Sequence, residues 1–141
     1  MDPADVEVDP VEIALSTSGG FEVLMGLELT EITPELARGR MTVAAEHLQP
    51  FGVVHGGVYA AIAESLASRG TMAGVVRKGS YALGLSNNTS FLRPVSEGTI
   101  EAIARPLHSG RTTWVWDVEL TDAEGRRCAI SRVTVAVRSE A

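Results

Sequence analysis

The stretch Gln49 to Ser68, QPFGVVHGGVYAAIAESLAS, decides the reading of this chain. A loop ending in His55, Gly56 and Gly57 runs directly into a segment that is apolar except at a few positions, one of which is Glu64. At about 100° per residue, Val58, Tyr59, Ile62 and Leu66 fall within one quadrant of a helix, while Glu64 and Ser68 lie four apart on roughly the opposite side. The predicted helix has one face for a sheet and one for something else. Glycines at its start let the backbone come close to a ligand. The free N–H groups of a first turn, aided by the helix dipole, favour a negative or developing negative oxygen there. That is an oxyanion site in outline. The same residues admit a plainer account, in which Gly56 and Gly57 make a tight turn, Glu64 is a charge on a wet face and His55 is structural.

Working outward, Val23, Met25, Leu27 and Leu29 alternate with Leu24, Gly26, Glu28 and Thr30, which predicts a half-buried strand. A second strand is expected over Leu36 to Val43, with Arg38, Arg40 and Thr42 facing solvent. The long helix is expected to fade near Gly70 to Gly74. Four more strands follow, over Tyr81 to Phe91, Thr99 to Leu107, Thr112 to Thr121 and Arg127 to Val137. In the third of these, Trp114, Trp116, Val118 and Leu120 alternate with Thr113, Val115, Asp117 and Glu119, so one face must be buried. Asp122 to Gly125 and His108 to Arg111 read as the turns of consecutive hairpins. The expectation is an α+β domain, an antiparallel sheet of about five to six strands wrapped around one long helix.

The chain has 141 residues, a length that suits one domain, assigned to residues 21–141 behind a flexible acidic lead of residues 1–20 with a helical turn around Val11 to Ser16. At 45% hydrophobic and 21% charged the composition is that of an ordinary globular protein, and no apolar run approaches the roughly 20 residues of a membrane span. The opening MDPADVEVDP lacks the basic and apolar regions of a signal peptide, and the single Cys128 allows no internal disulfide, so a cytoplasmic location is expected. A net charge of −6 gives no encouragement to nucleic-acid or anionic-membrane binding. His47, His55, His108 and Cys128 show no metal-ligand spacing, so neither a metal nor another cofactor is expected.

The spaced set Gln49, His55, Gly56, Gly57, Glu64 and Ser68 resembles the active-site segment of the hotdog-fold acyl-CoA thioesterases. The subgroup is the one similar to 4-hydroxybenzoyl-CoA thioesterase and 1,4-dihydroxy-2-naphthoyl-CoA hydrolase. Gly84-Leu85, Leu92 to Val95, Arg105 to His108, Gly110-Arg111 and Asp122 to Arg126 extend the resemblance over roughly residues 20 to 138. It implies hydrolysis of an acyl-CoA, with an aromatic acyl group, to free acid and CoA. Glu64 would act as nucleophile or general base, and the Gly56 N–H would polarise the carbonyl. Gln49 would orient the carbonyl or a water, Ser68 would hold the carboxylate or water, and His55 would position the loop or assist near the sulfur. Gly57 and Arg93, with Arg111, Thr112 and Thr113, become candidates for binding the substrate and its anionic nucleotide.

Gly56 and Glu64 are eight residues apart, about 12 Å along a helix, too far for both to touch one thioester carbon. A two-fold partner would bring its Glu64 and Ser68 opposite this chain's Gln49, His55 and Gly56, giving two equal sites across one interface. The resemblance implies the same dimer, usually paired further into a tetramer. Two other readings are a hotdog hydratase or dehydratase and a non-catalytic acyl-CoA-binding or sensing protein.

Overall fold

A computed structural model describes residues 20–139. The acidic lead expected ahead of Gly20 and the helical turn around Val11 to Ser16 lie outside the described residues. The elements in order are α1 (Phe21–Met25), β1 (Glu28–Ile32), β2 (Ala37–Thr42), α2 (Gly56–Val75), β3 (Ser80–Phe91), β4 (Thr99–Ser109), β5 (Thr113–Thr121) and β6 (Arg127–Ser139). All strand pairings are antiparallel, in the order β1-β2-β4-β5-β6-β3, and the sheet wraps α2. This is the expected α+β hotdog architecture.

Helix α2 buries Tyr59, Ile62, Ala63, Leu66, Ala67, Gly70, Thr71 and Val75 and leaves Glu64 exposed. It ends at Val75, one residue past the expected Gly70 to Gly74. The two glycines are there for packing: a Cβ on Gly70 would collide with the Trp116 ring, and one on Gly74 would stand 2.6 Å from Trp114 Cη2. The outer rims of the two indoles, which stack with centroids 6.0 Å apart, therefore lie close against the helix backbone. Trp116 Nε1–H donates to Thr71 Oγ1 at 2.9 Å, and that hydroxyl donates to the Ala67 carbonyl at 2.8 Å, so the buried indole N–H is satisfied.

The first part of the strand expected from Val23 to Thr30 is instead a short helix, and strand begins only at Glu28. Gly26, at φ 76°, ends α1 in the left-handed conformation; its N–H bonds to Val23 O and the Leu27 N–H to Glu22 O, both at 3.0 Å. The alternating pattern misled because Met25 and Leu27 reach the core from a helix end and the turn after it, not from one pleated face. An ion pair between Arg69 and Glu22, 2.6 Å long with both side chains over four-fifths buried, ties α1 to α2. The remaining strands fall within two residues of expectation, and Arg38, Arg40 and Thr42 do face solvent. At the β5–β6 turn burial alone would raise the Asp122 carboxyl. The N–H groups of Arg126 and Glu124 and the Arg126 guanidinium outweigh it and hold that carboxyl below its ordinary value.

Two buried hydroxyls on α2 predict opposite outcomes. Thr71→Val keeps the shape but strands the Trp116 N–H and should lower stability by about 1–3 kcal/mol. Tyr59 Oη has no hydrogen-bond partner among the described residues, so Tyr59→Phe should leave stability unchanged or raise it. Urea unfolding of both variants checks the contrast.

Candidate active site

The loop before α2 is closed by its own backbone. Leu48 bridges Val54, the Gln49 N–H reaches Val53 O at 2.8 Å, and the His55 N–H reaches His47 O at 2.9 Å. His47 anchors it from below. Its Nδ1 accepts from the Ala44 N–H at 2.9 Å, which leaves the ring proton on Nε2, directed 2.6 Å to the Met25 carbonyl. Gln49 thereby opens a closed loop that returns to the chain just ahead of the helix. Its Oε1 accepts a short hydrogen bond from the Phe51 N–H, so the carboxamide NH2 is the end left to meet a carbonyl or water.

His55 is the N-cap of α2, and its Nδ1 accepts from the Gly57 N–H at 2.8 Å. The Val58 N–H goes to His55 O at 3.0 Å. Gly56 is different: among the described residues its N–H has no acceptor. The cap thus removes Gly57 from the available donors and leaves Gly56 as the unpaired amide at the positive end of a 20-residue helix. Gly56 must be glycine for a steric reason as well, because an added Cβ would stand 2.6 Å from Phe91 Cζ.

Glu64 lies two turns further on, in an open groove of about 410 Å³. Gly57, Ala60 and Ala61 share the helix side with it, and Asn87, Thr89 and Phe91 form the strand side. Among the described residues neither Glu64 nor Ser68 has a hydrogen-bond partner for its side chain. Ser68 is half-buried one turn beyond. The anionic-substrate candidates are split. Arg93 follows β3 at the Phe91 end, whereas Arg111 and Thr112 occupy the β4–β5 turn, where Thr112 O accepts from the Val137 N–H and Val137 pairs with Ala82. Ala82 to Phe91 is nine residues, about 30 Å of strand. One protomer therefore places His55, Gly56 and Gly57 at the helix start, Gln49 in the loop before it, and Glu64 and Ser68 further along the helix, and puts Arg93 and Arg111 at opposite ends. A larger hollow of about 620 Å³ on the sheet face away from α2 is lined by Arg105, Asp117, Glu119 and Arg132 and contains none of these residues.

The thioesterase superfamily model matches residues 51–129, more than half of the chain. The chain belongs to that superfamily. It is 39% identical over 115 residues to the proofreading thioesterase EntH of Cronobacter turicensis, covering 80% of this chain and 82% of EntH. Thioesterase HI1161 of Haemophilus influenzae superposes with a TM-score of 0.81 at 33% identity, over 86% of this chain and 85% of that one. A mutant of thioesterase PA1618 of Pseudomonas aeruginosa, with a glutamine replaced by alanine, superposes with a TM-score of 0.83 at 33% identity, over 94% and 96%. The reaction class of the chain is thioester hydrolysis.

Sequence reasoning missed the strand side of this thioesterase groove. Asn87 Nδ2 donates to the Ala60 carbonyl at 2.9 Å, and its Oδ1 accepts from Thr89 at 2.6 Å and from Ser131 at 3.2 Å. The alternation of β3 could have put Asn87, Thr89 and Phe91 on one face, but nothing in the pattern said which face met the helix. If the His55 ring is chiefly a cap, His55→Ala should cost about 1 kcal/mol of stability, and His55→Asn, which keeps a capping acceptor, should recover most of it. Chemical unfolding of the pair reads this directly.

Proposed function

We propose that the chain hydrolyses the thioester of an acyl-CoA with an aromatic acyl group, in the cytoplasm, at two equal sites shared across a two-fold dimer that pairs further into a tetramer. The observation that carries the reading is the Gly56 N–H, without an acceptor among the described residues, at the start of the helix whose Glu64 carboxylate, likewise without a partner among them, lines a groove two turns on. The Gly56 N–H donates to the carbonyl oxygen as negative charge develops on it, an interaction typically worth about 3–4 kcal/mol in an enzyme. The partner subunit's Glu64 supplies the second half. Its carboxylate either adds to the carbonyl carbon, expelling CoA thiolate and leaving an anhydride that water opens, or takes a proton from a water that adds in its place.

Support for the dimer comes from the rigid helix and from the sheet. Along α2, Gly56 and Glu64 are about 12 Å apart, so one chain does not span a single reacting carbon. Strand β3 is a 12-residue edge with Leu83, Leu85 and Phe91 exposed beside backbone groups that no strand pairs, the kind of edge a second copy covers. A two-fold axis there would also carry the partner subunit's Arg111 toward this chain's Arg93, reuniting the candidates for the CoA phosphates. Phe91, whose ring lies against Gly56, lines the groove with Gly57, Ala60 and Ala61 and offers an apolar surface to an aromatic acyl group.

Glu64→Gln keeps the shape and removes the base. It should cut kcat by at least about 10²-fold with little change in KM, read as CoA thiol released from a panel of benzoyl-, phenylacetyl- and dihydroxynaphthoyl-CoA. Full kcat in this variant would overturn the assignment of Glu64.

A further inference from the structure

Strand β3 changes parity part-way along. Ala82 and Gly84 look toward α2, and so do Asn87, Thr89 and Phe91, because the pairing with β6 slips between Gly84 and Ser86 and leaves Leu85 as an extra, exposed residue. Without that slip, Gly84 and Asn87 could not share a face. With it they flank one turn of the helix: Asn87 bonds to the carbonyl of Ala60, and Gly84 lies against Glu64, four residues on.

Gly84 is not a glycine for backbone reasons. Its φ is not in the left-handed region, so any residue could take its conformation, and glycine in a strand interior is otherwise unfavourable. What its missing side chain makes room for is the Glu64 carboxylate. An added Cβ would overlap Oε1 and stand 3.4 Å from Cδ and 3.6 Å from Cγ.

We propose that Gly84, set on the helix-facing side by the Leu85 bulge, is a positioning residue for the Glu64 carboxylate. The bare backbone at Gly84 forms the floor on which the carboxylate rests, and the Asn87 bond to Ala60 fixes the distance between strand and helix at that point. The inference rests on the role proposed above for Glu64. It adds that the acid's placement is set by a strand on which it has no hydrogen-bond partner.

Gly84→Ala should lower kcat by about 10- to 100-fold, the usual effect of displacing a reacting group by an ångström or so, with KM changed less than threefold and thermal stability not reduced. Glu64→Asp in the same chain shortens the acid by one methylene and relieves the crowding, so Gly84→Ala with Glu64→Asp should turn over faster than Gly84→Ala alone. A merely structural role for Gly84 would not respond to the length of the acid. On a Glu64→Gln background Gly84→Ala should have no further effect on the residual rate. If Gly84→Ala alone does not fold, the pair Glu64→Asp with and without Gly84→Ala carries the test, with a ratio under about threefold expected. Wild-type kcat in Gly84→Ala, or a loss that Glu64→Asp does not relieve, would overturn the proposal. Should Glu64→Gln itself stay fully active, the role of Glu64 falls first. If Glu64→Gln is dead and Gly84→Ala is fully active, only the positioning claim falls.

Discussion

Everything in this molecule depends on how closely α2 lies on the sheet. At Gly70 over Trp116 and Gly74 over Trp114 a glycine removes the side chain that would hold the two layers apart, and at Gly56 and Gly84 it leaves room for the Phe91 ring and the Glu64 carboxylate. A helix usually packs at a distance set by interdigitating side chains, and a Cβ at any of these points would force a shift. The two tryptophan contacts bury the C-terminal half of the helix. The other two shape the groove. Packing and chemistry therefore draw on one constraint, and a change that lifts the helix by a fraction of an ångström disturbs both.

The N-terminal end of α2 shows how local backbone chemistry becomes a site. Every helix starts with amides that lack partners, and most are covered by a cap. Here the cap is a histidine ring that takes the second amide and leaves the first. The closed loop behind it holds Gln49 with its oxygen turned inward and its NH2 turned out. His47, read in sequence only as a histidine without metal-ligand spacing, anchors this loop to the carbonyl of Met25. Among the described residues Glu64 makes no hydrogen bond or ion pair, which leaves its carboxylate available for other work.

Much of the fold was legible in the sequence because its signals are periodic. Trp114 to Leu120 alternates as strictly as a half-buried strand can, and Arg38, Arg40 and Thr42 mark a solvated face. The failures lie where periodicity is silent or borrowed. Val23 to Leu29 alternates by coincidence across a helix end and a Gly26 turn, and Gly70 and Gly74 read as breakers until the indoles they admit are seen. In the candidate site, the helix residues were picked out by their spacing. Phe91, Asn87 and Gly84 were not, since a bulge at Leu85 shifts the parity of β3 and no pattern of side chains announces an unpaired residue.

The central claim is that each site is built from two chains, Gln49 and Gly56 from one and Glu64 from the other. It is tested most directly by mixing Glu64→Gln protomers with Gln49→Ala protomers under conditions of subunit exchange, with heterodimers verified by mass spectrometry. In a shared-site dimer each heterodimer has one site with both residues intact, so full exchange should restore about a quarter of wild-type sites and thiol release should rise well above either parent. If heterodimers form and activity does not return, the two residues belong to the same site within one chain, and the shared-site account is wrong.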